Sequence, residues 1–140
     1  MQTLAGIHPT DQMKRPSSVV LIVEHQNRFY EVLERILVSR GLQVERAASA
    51  GEARQRLQHV SPDLILANCE LPDESGWLMV GKWCLTRMSR RVWLYQGWPG
   101  AFDQEWADFT KVERILYHKD EVHALANRVR SQLAAERGCL

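Results

Sequence analysis

The 140-residue chain has no run near the ~18 consecutive apolar residues that span a bilayer, so no transmembrane helix is expected. Cysteine is scarce: Cys69, Cys84 and Cys139 form no CxxC pair, and their number is odd. That excludes a disulfide framework and a cysteine zinc site, and fits free thiols in a reducing compartment. An excess of one charge is also missing. Eighteen basic and 17 acidic side chains leave a net charge of +1, so no global field draws the chain to nucleic acid or an anionic membrane. The opening segment lacks the apolar centre of a signal peptide. Residues 1–17, with Pro9, Lys14, Arg15 and Pro16, read as a polar tail. A cytoplasmic location is expected. What remains is the composition of a globular domain, 45% hydrophobic and 25% charged, of a length suited to one domain.

The apolar pattern becomes regular after Ser18. Val19-Val20-Leu21-Ile22-Val23 is a wholly apolar, mostly β-branched run, the pattern of a strand buried on both faces. Phe29, Val32, Leu33, Ile36 and Leu37 recur at helical spacing until Gly41. Leu42 to Ala47 alternates like a half-exposed edge strand, and Ala50 to Gln58 reads as a helix. Leu64 to Ala67 is the next strand. A loop with Pro72 follows, then a helix from about Trp77 to Met88, capped by Ser75. Val92 to Tyr95 and Arg114 to Tyr117 are two more strands, separated by a short helix within Ala101 to Thr110. Val122, Leu125, Ala126, Val129 and Leu133 mark the last helix. The folded domain is expected over 18–135, with a short tail over 136–140.

Strands alternating with helices imply a parallel sheet covered on both faces, and right-handed crossovers make it doubly wound. Ligands of such sheets sit outside the carboxyl ends of the strands. The residues to inspect are therefore Glu24 and His25, Asn68 and Cys69, Gln96 and Gly97, and His118 and Lys119.

The stretch Pro62-Asp63-Leu64-Ile65-Leu66-Ala67-Asn68-Cys69-Glu70-Leu71-Pro72-Asp73-Glu74-Ser75-Gly76 resembles the strand, phosphoacceptor and proline–glycine loop of response-regulator receiver domains. Val20-Leu21-Ile22-Val23 followed by a polar pair resembles that family's first strand and acidic pair. The resemblance covers about Ser18 to Leu133. It implies a flavodoxin-like five-stranded parallel sheet of order 2-1-3-4-5 with helices on both faces. It also implies phosphoryl transfer to an aspartate, with two acids holding Mg²⁺ and a hydroxyl and a lysine contacting the product.

At the matching positions the residues differ. Asn68 stands at the phosphoacceptor, and an amide offers no anionic oxygen to attack phosphorus. Glu24 and His25 stand at the acidic pair, Gln96 at the hydroxyl, and His118, or Lys119 after a one-residue slip, at the lysine. His25 replaces an oxygen ligand with an imidazole better suited to a transition metal than to Mg²⁺. Glu24, His25 and His118, with Cys69, are thus a candidate transition-metal set, but no HxxxH or CxxC spacing prearranges it, and Cys69, next to Asn68 on the strand, is expected on the other face. The expectation is no metal and no other cofactor, with Glu24 paired to His25 or His118. Asn68 either holds the loops by hydrogen bonds or mimics one signalling state.

All five tryptophans lie between 77 and 106. Trp77 and Trp93 read as core. Trp83, Trp98 and Trp106, with Arg128 and Arg130, form a candidate partner surface. Arg87, Arg90 and Arg91 read as a solvated cluster, not a nucleic-acid tract. The resulting expectation is a stand-alone atypical receiver in a bacterial two-component or phosphorelay circuit. It would bind a signalling protein, a sensor kinase or another regulator, or a second copy of itself, without an aspartyl phosphate. No DNA or membrane binding and no enzymatic activity are expected. The rivals are a receiver phosphorylated on Asp73 or Glu70, and a metal or small-ligand sensor.

Overall fold

The computed structural model describes residues 18–88 and 90–136. The tail expected at 1–17 and the end of the chain from 137 lie outside the described residues. The elements run β1 (Val19–Val23), α1 (Asn27–Ser39), β2 (Gln43–Ala47), α2 (Ala50–Arg56), β3 (Leu64–Asn68), α3 (Gly76–Leu85), β4 (Val92–Gln96), α4 (Asp103–Thr110), β5 (Arg114–Tyr117) and α5 (Val122–Ala135). The strands form one parallel sheet in the order β2-β1-β3-β4-β5. This is the flavodoxin-like arrangement expected from the sequence.

The apolar strands are continuous because both sheet faces are covered. All five residues of β3 are buried, while β2, at the edge, buries only Ala47 fully. Side chains alternate between two cores. Leu21, Val23, Ile65, Ala67 and Leu94 pack with Ala50 and Ala53 of α2, Met79, Val80 and Trp83 of α3, and Ala107 of α4. Ile22, Leu66, Trp93 and Tyr95 pack with Phe29 and Leu33 of α1 and Leu125 and Val129 of α5.

Three expectations about α3 need correction. Ser75 does cap the helix, its Oγ accepting from the Leu78 N–H at 3.1 Å. The helix stops at Leu85, however, short of Met88. Arg87 adopts a left-handed φ of 60°. Its N–H donates to the Cys84 carbonyl, and the Met88 N–H donates to that of Trp83. These paired bonds close a helix end. Trp83, expected to be exposed, is 6% exposed. The buried stripe of α3 is Gly76, Met79, Val80 and Trp83, the i, i+3, i+4, i+7 face of a helix. Trp77, expected in the core, is only half-buried against it.

Candidate functional site

The carboxyl ends of β1, β3, β4 and β5 bring Glu24, Asn68, Gln96 and His118 to one edge of the sheet. Glu24 has no exposed surface. A buried carboxylate must be hydrogen-bonded to persist, and three donors from the chain meet this one. Asn68 Nδ2 donates to Oε1 at 2.9 Å, the Tyr95 hydroxyl donates to the same oxygen at 2.6 Å, and the Gln26 N–H donates to Oε2 at 2.9 Å. His25 Nδ1 lies 3.6 Å from Oε2, on a side chain 37% exposed. It is a rim neighbour of the buried carboxylate.

Asn68 uses both ends of its amide. While Nδ2 faces Glu24, Oδ1 accepts the Glu70 N–H at 2.8 Å. The start of α3 packs on this residue. A Cβ placed on Gly76 would lie 2.8 Å from the Asn68 carbonyl oxygen and 2.9 Å from Cys69 Cα. Cys69 points into the opposite core, as its place beside Asn68 on a strand requires, and burial pushes its thiol pKa up.

Tyr95 was not among the residues singled out from sequence. It closes the apolar run of β4 and reads as core. Asn68 and Tyr95 are register partners across β3 and β4, so the period of two puts both side chains on one face. Burial first, then the charge and hydrogen bond of Glu24, raise the Tyr95 hydroxyl pKa well above its usual value. The proton therefore stays on the phenol.

His118 is buried and Lys119 is exposed with a φ of 50°. His118 Nδ1 accepts the Asp120 N–H at 2.9 Å, and its ring meets Phe29 edge-on at 5.0 Å. The expected alternative pairing of Glu24 with His118 is not formed. Gln96 ties β4 to two helices and a loop. Its Oε1 accepts from Trp77 Nε1 at 3.3 Å, and its Nε2 donates to Asp103 Oδ2 at 2.8 Å and to the Trp98 carbonyl at 3.0 Å. Asp103 Oδ2 also accepts the Tyr117 hydroxyl at 2.7 Å, which fastens β5 to the same knot. Asp103 and Tyr117 were likewise missed, because their roles arise only where β4, β5 and α4 meet.

The two loop acids weighed as alternative acceptors differ. Asp73 accepts the N–H groups of Ala50 and Gly51 at 3.0 and 2.9 Å, pinning its loop to the start of α2. Burial alone would raise its carboxyl pKa, but these backbone donors outweigh it and hold the carboxyl below its usual range. Glu70 is exposed.

Of the candidate surface residues, Trp98 and Trp106 are exposed, as are Phe102 and Phe109, which sequence reasoning did not single out. Phe102, Trp106 and Phe109 line one shallow groove with Glu105. Their spacing of four and three residues is itself a helical stripe, readable from the chain. Arg128 and Arg130 are exposed on α5, which packs on the other face of the sheet from α4. Arg91, expected in a solvated cluster, is instead bound to Glu113 at 2.9 Å and Glu136 at 2.6 Å. Among the described residues no helix is long and apolar enough to cross a membrane.

Comparison with known proteins agrees with this architecture. The sequence profile of the response regulator receiver domain matches residues 20–92, more than half of the chain. The chain belongs to that family. It is also similar to adventurous-gliding motility protein Z of Myxococcus xanthus (strain DK1622), 36% identical over 62 residues. That match takes in 44% of this chain and 4% of the relative, so the chain spans a small fraction of that protein's length. Two solved structures share the fold. A receiver domain protein of Methanospirillum hungatei JF-1 has a TM-score of 0.71 at 20% identity, covering 86% of this chain and 97% of the other. The phosphorylated cyanobacterial phytochrome response regulator RcpA has a TM-score of 0.74 at 16% identity, covering 84% and 92%. Receiver domains are signalling modules that interact with proteins such as kinases and other regulators.

The Mg²⁺ of receiver chemistry does not fit this donor set. Magnesium needs hard oxygen ligands in near-octahedral array. Here the one buried carboxylate of the site is engaged by Asn68, Tyr95 and Gln26, the adjacent position is an imidazole, and Asn68 Oδ1 is taken by the Glu70 N–H.

Proposed function

We propose that this chain is a pseudo-receiver: a receiver domain that passes a signal by protein–protein contact without forming an aspartyl phosphate. The observation that carries this reading is the closed hydrogen-bond set around Glu24. Asn68, at the carboxyl end of β3, supplies an amide N–H to that set. It presents no carboxylate to attack phosphorus. The hydroxyl of Tyr95 and the N–H of Gln26 complete the set from protein groups alone. The domain works without a divalent cation, because among the described residues no second acid stands beside Glu24 to hold one.

The Gln96 position supports the same reading. A switch residue must move between two partners. Gln96 is held at both ends of its amide by Trp77, Asp103 and Trp98, which suits a fixed strut. The contact face is the aromatic surface of α4 and its preceding loop, with Trp98 and Trp106 as anchors, and the partner is a kinase or another regulator of a two-component circuit. Exposed tryptophans are costly to leave in water and typical of interface hot spots.

The test is titration with Mg²⁺ and beryllofluoride, followed by amide NMR and tryptophan fluorescence. The expected result is no saturable change. A saturating shift of resonances around Asn68, Gln96 and His118 would contradict the reading.

A further inference from the structure

A second concavity lies at the opposite end of the sheet. It opens between the carboxyl ends of α3 and α4 and the first residue of β4, and encloses about 300 Å³. Val80, Trp83 and Val92 give it a buried apolar floor, joined by half-buried Met88. Arg87, Arg90 and Lys111 supply its charge, and among the described residues no acidic side chain lines it. Among the described residues none of these three cations forms a salt bridge.

The Nε of Arg90 is buried and has no hydrogen-bond partner among the described residues. A buried donor without an acceptor costs free energy, and a side-chain rotation that opens Arg90 Nε to the cleft lets an oxyanion accept from it. Arg87 and Lys111 reach the cleft from left-handed backbone, with φ of 60° and 66°. Both sit at helix ends, where a cation complements the helix dipole. That role does not exhaust the charge. Two helix ends amount to about one negative unit against three cations, leaving roughly two positive units unmatched.

We propose that this cleft binds a small organic dianion, a phosphate monoester or dicarboxylate carried on an apolar body the size of one ring. The guanidinium groups of Arg87 and Arg90 match either headgroup, since the planar fork pairs with carboxylate and phosphate alike. The apolar body lies on Trp83 and Met88. The volume is at the small end of the ~300–1,000 Å³ range of ligand pockets. The site is separate from the Glu24 edge, for its strand residue, Val92, opens β4 and Gln96 closes it.

Calorimetric titration of the full chain with phenyl phosphate, phthalate, inorganic phosphate and neutral benzyl alcohol tests this. Phenyl phosphate or phthalate should saturate, and the stronger of the two identifies the headgroup. Inorganic phosphate and benzyl alcohol should bind at least about tenfold more weakly, each having lost one half of the recognition. Arg90→Gln should weaken binding about tenfold, as expected for a hydrogen bond to a charged group. Arg87→Gly and Lys111→Gly, which keep the left-handed backbone without strain, should each weaken it about threefold. Bound ligand should also slow alkylation of Cys84, which lines the cleft. The proposal is overturned by absence of saturation up to about 1 mM for both aromatic anions, by inorganic phosphate matching them, or by undiminished binding to the Arg87→Gly, Lys111→Gly double variant.

Discussion

The phenol of Tyr95 donates a 2.6 Å hydrogen bond to the Glu24 carboxylate, across 71 positions of chain. With the Asn68 amide on the same oxygen, it satisfies a carboxylate that has no exposed surface. Removing the hydroxyl while keeping the ring isolates this contribution. Tyr95→Phe should destabilise the fold by about 1.5–3 kcal/mol, the usual range for a hydrogen bond to a charged group. Urea denaturation monitored by circular dichroism measures it. A loss under ~0.5 kcal/mol, typical of an uninvolved surface site, would show that the phenol does not support Glu24.

All three tyrosines of the chain should resist ionisation. Burial, followed by the Glu34 carboxylate, pushes Tyr30 up to about 12, and burial with the Asp103 bond pushes Tyr117 up to about 12. Tyr95 is raised as well. A folded pKa above the unfolded value means the stabilisation is fully present below the ordinary tyrosine value of ~10. It is lost as the pH rises through the folded values. Tyrosinate absorbance should therefore lag the urea-unfolded control by more than one pH unit and appear together with alkaline unfolding. Coincident titration curves would contradict the environments described for these hydroxyls.

Two classes of tryptophan should separate in stability measurements. Trp83→Ala removes a 6% exposed ring from the α3 core and should cost about 3–5 kcal/mol. Trp98→Ala and Trp106→Ala remove rings that are 59% and 49% exposed, and each should change stability by less than ~0.5 kcal/mol. A large loss at Trp106 would mean that this ring serves the fold, leaving less reason to assign it to a partner.

The fold was legible because its strands announce themselves. Val20 to Val23 and Leu64 to Ala67 are unbroken apolar runs, and a parallel sheet buried on both faces produces that pattern. The carboxyl ends of these two runs, and of β4 and β5, point to Glu24, Asn68, Gln96 and His118 without any knowledge of contacts. Tyr95 escaped because an aromatic at the end of an apolar strand reads as core, and its hydroxyl has a role only once β1, β3 and β4 are in register. Trp83 reads as lying off the α3 stripe although it is four residues from Met79, because Trp77 reads as core; the helix instead buries Gly76, Met79, Val80 and Trp83. The Asp103 knot depends on three elements converging, which no periodicity within one element encodes.

Forming no aspartyl phosphate is what separates a pseudo-receiver from a working receiver domain. The most direct measurement is the intact mass of the protein after incubation with acetyl phosphate and Mg²⁺, alongside a receiver domain that retains its aspartate. An unmodified mass is expected under conditions that phosphorylate the control. Transfer of one phosphoryl group, mapped to Asp73, Glu70 or any other side chain at the carboxyl edge of the sheet, would contradict it.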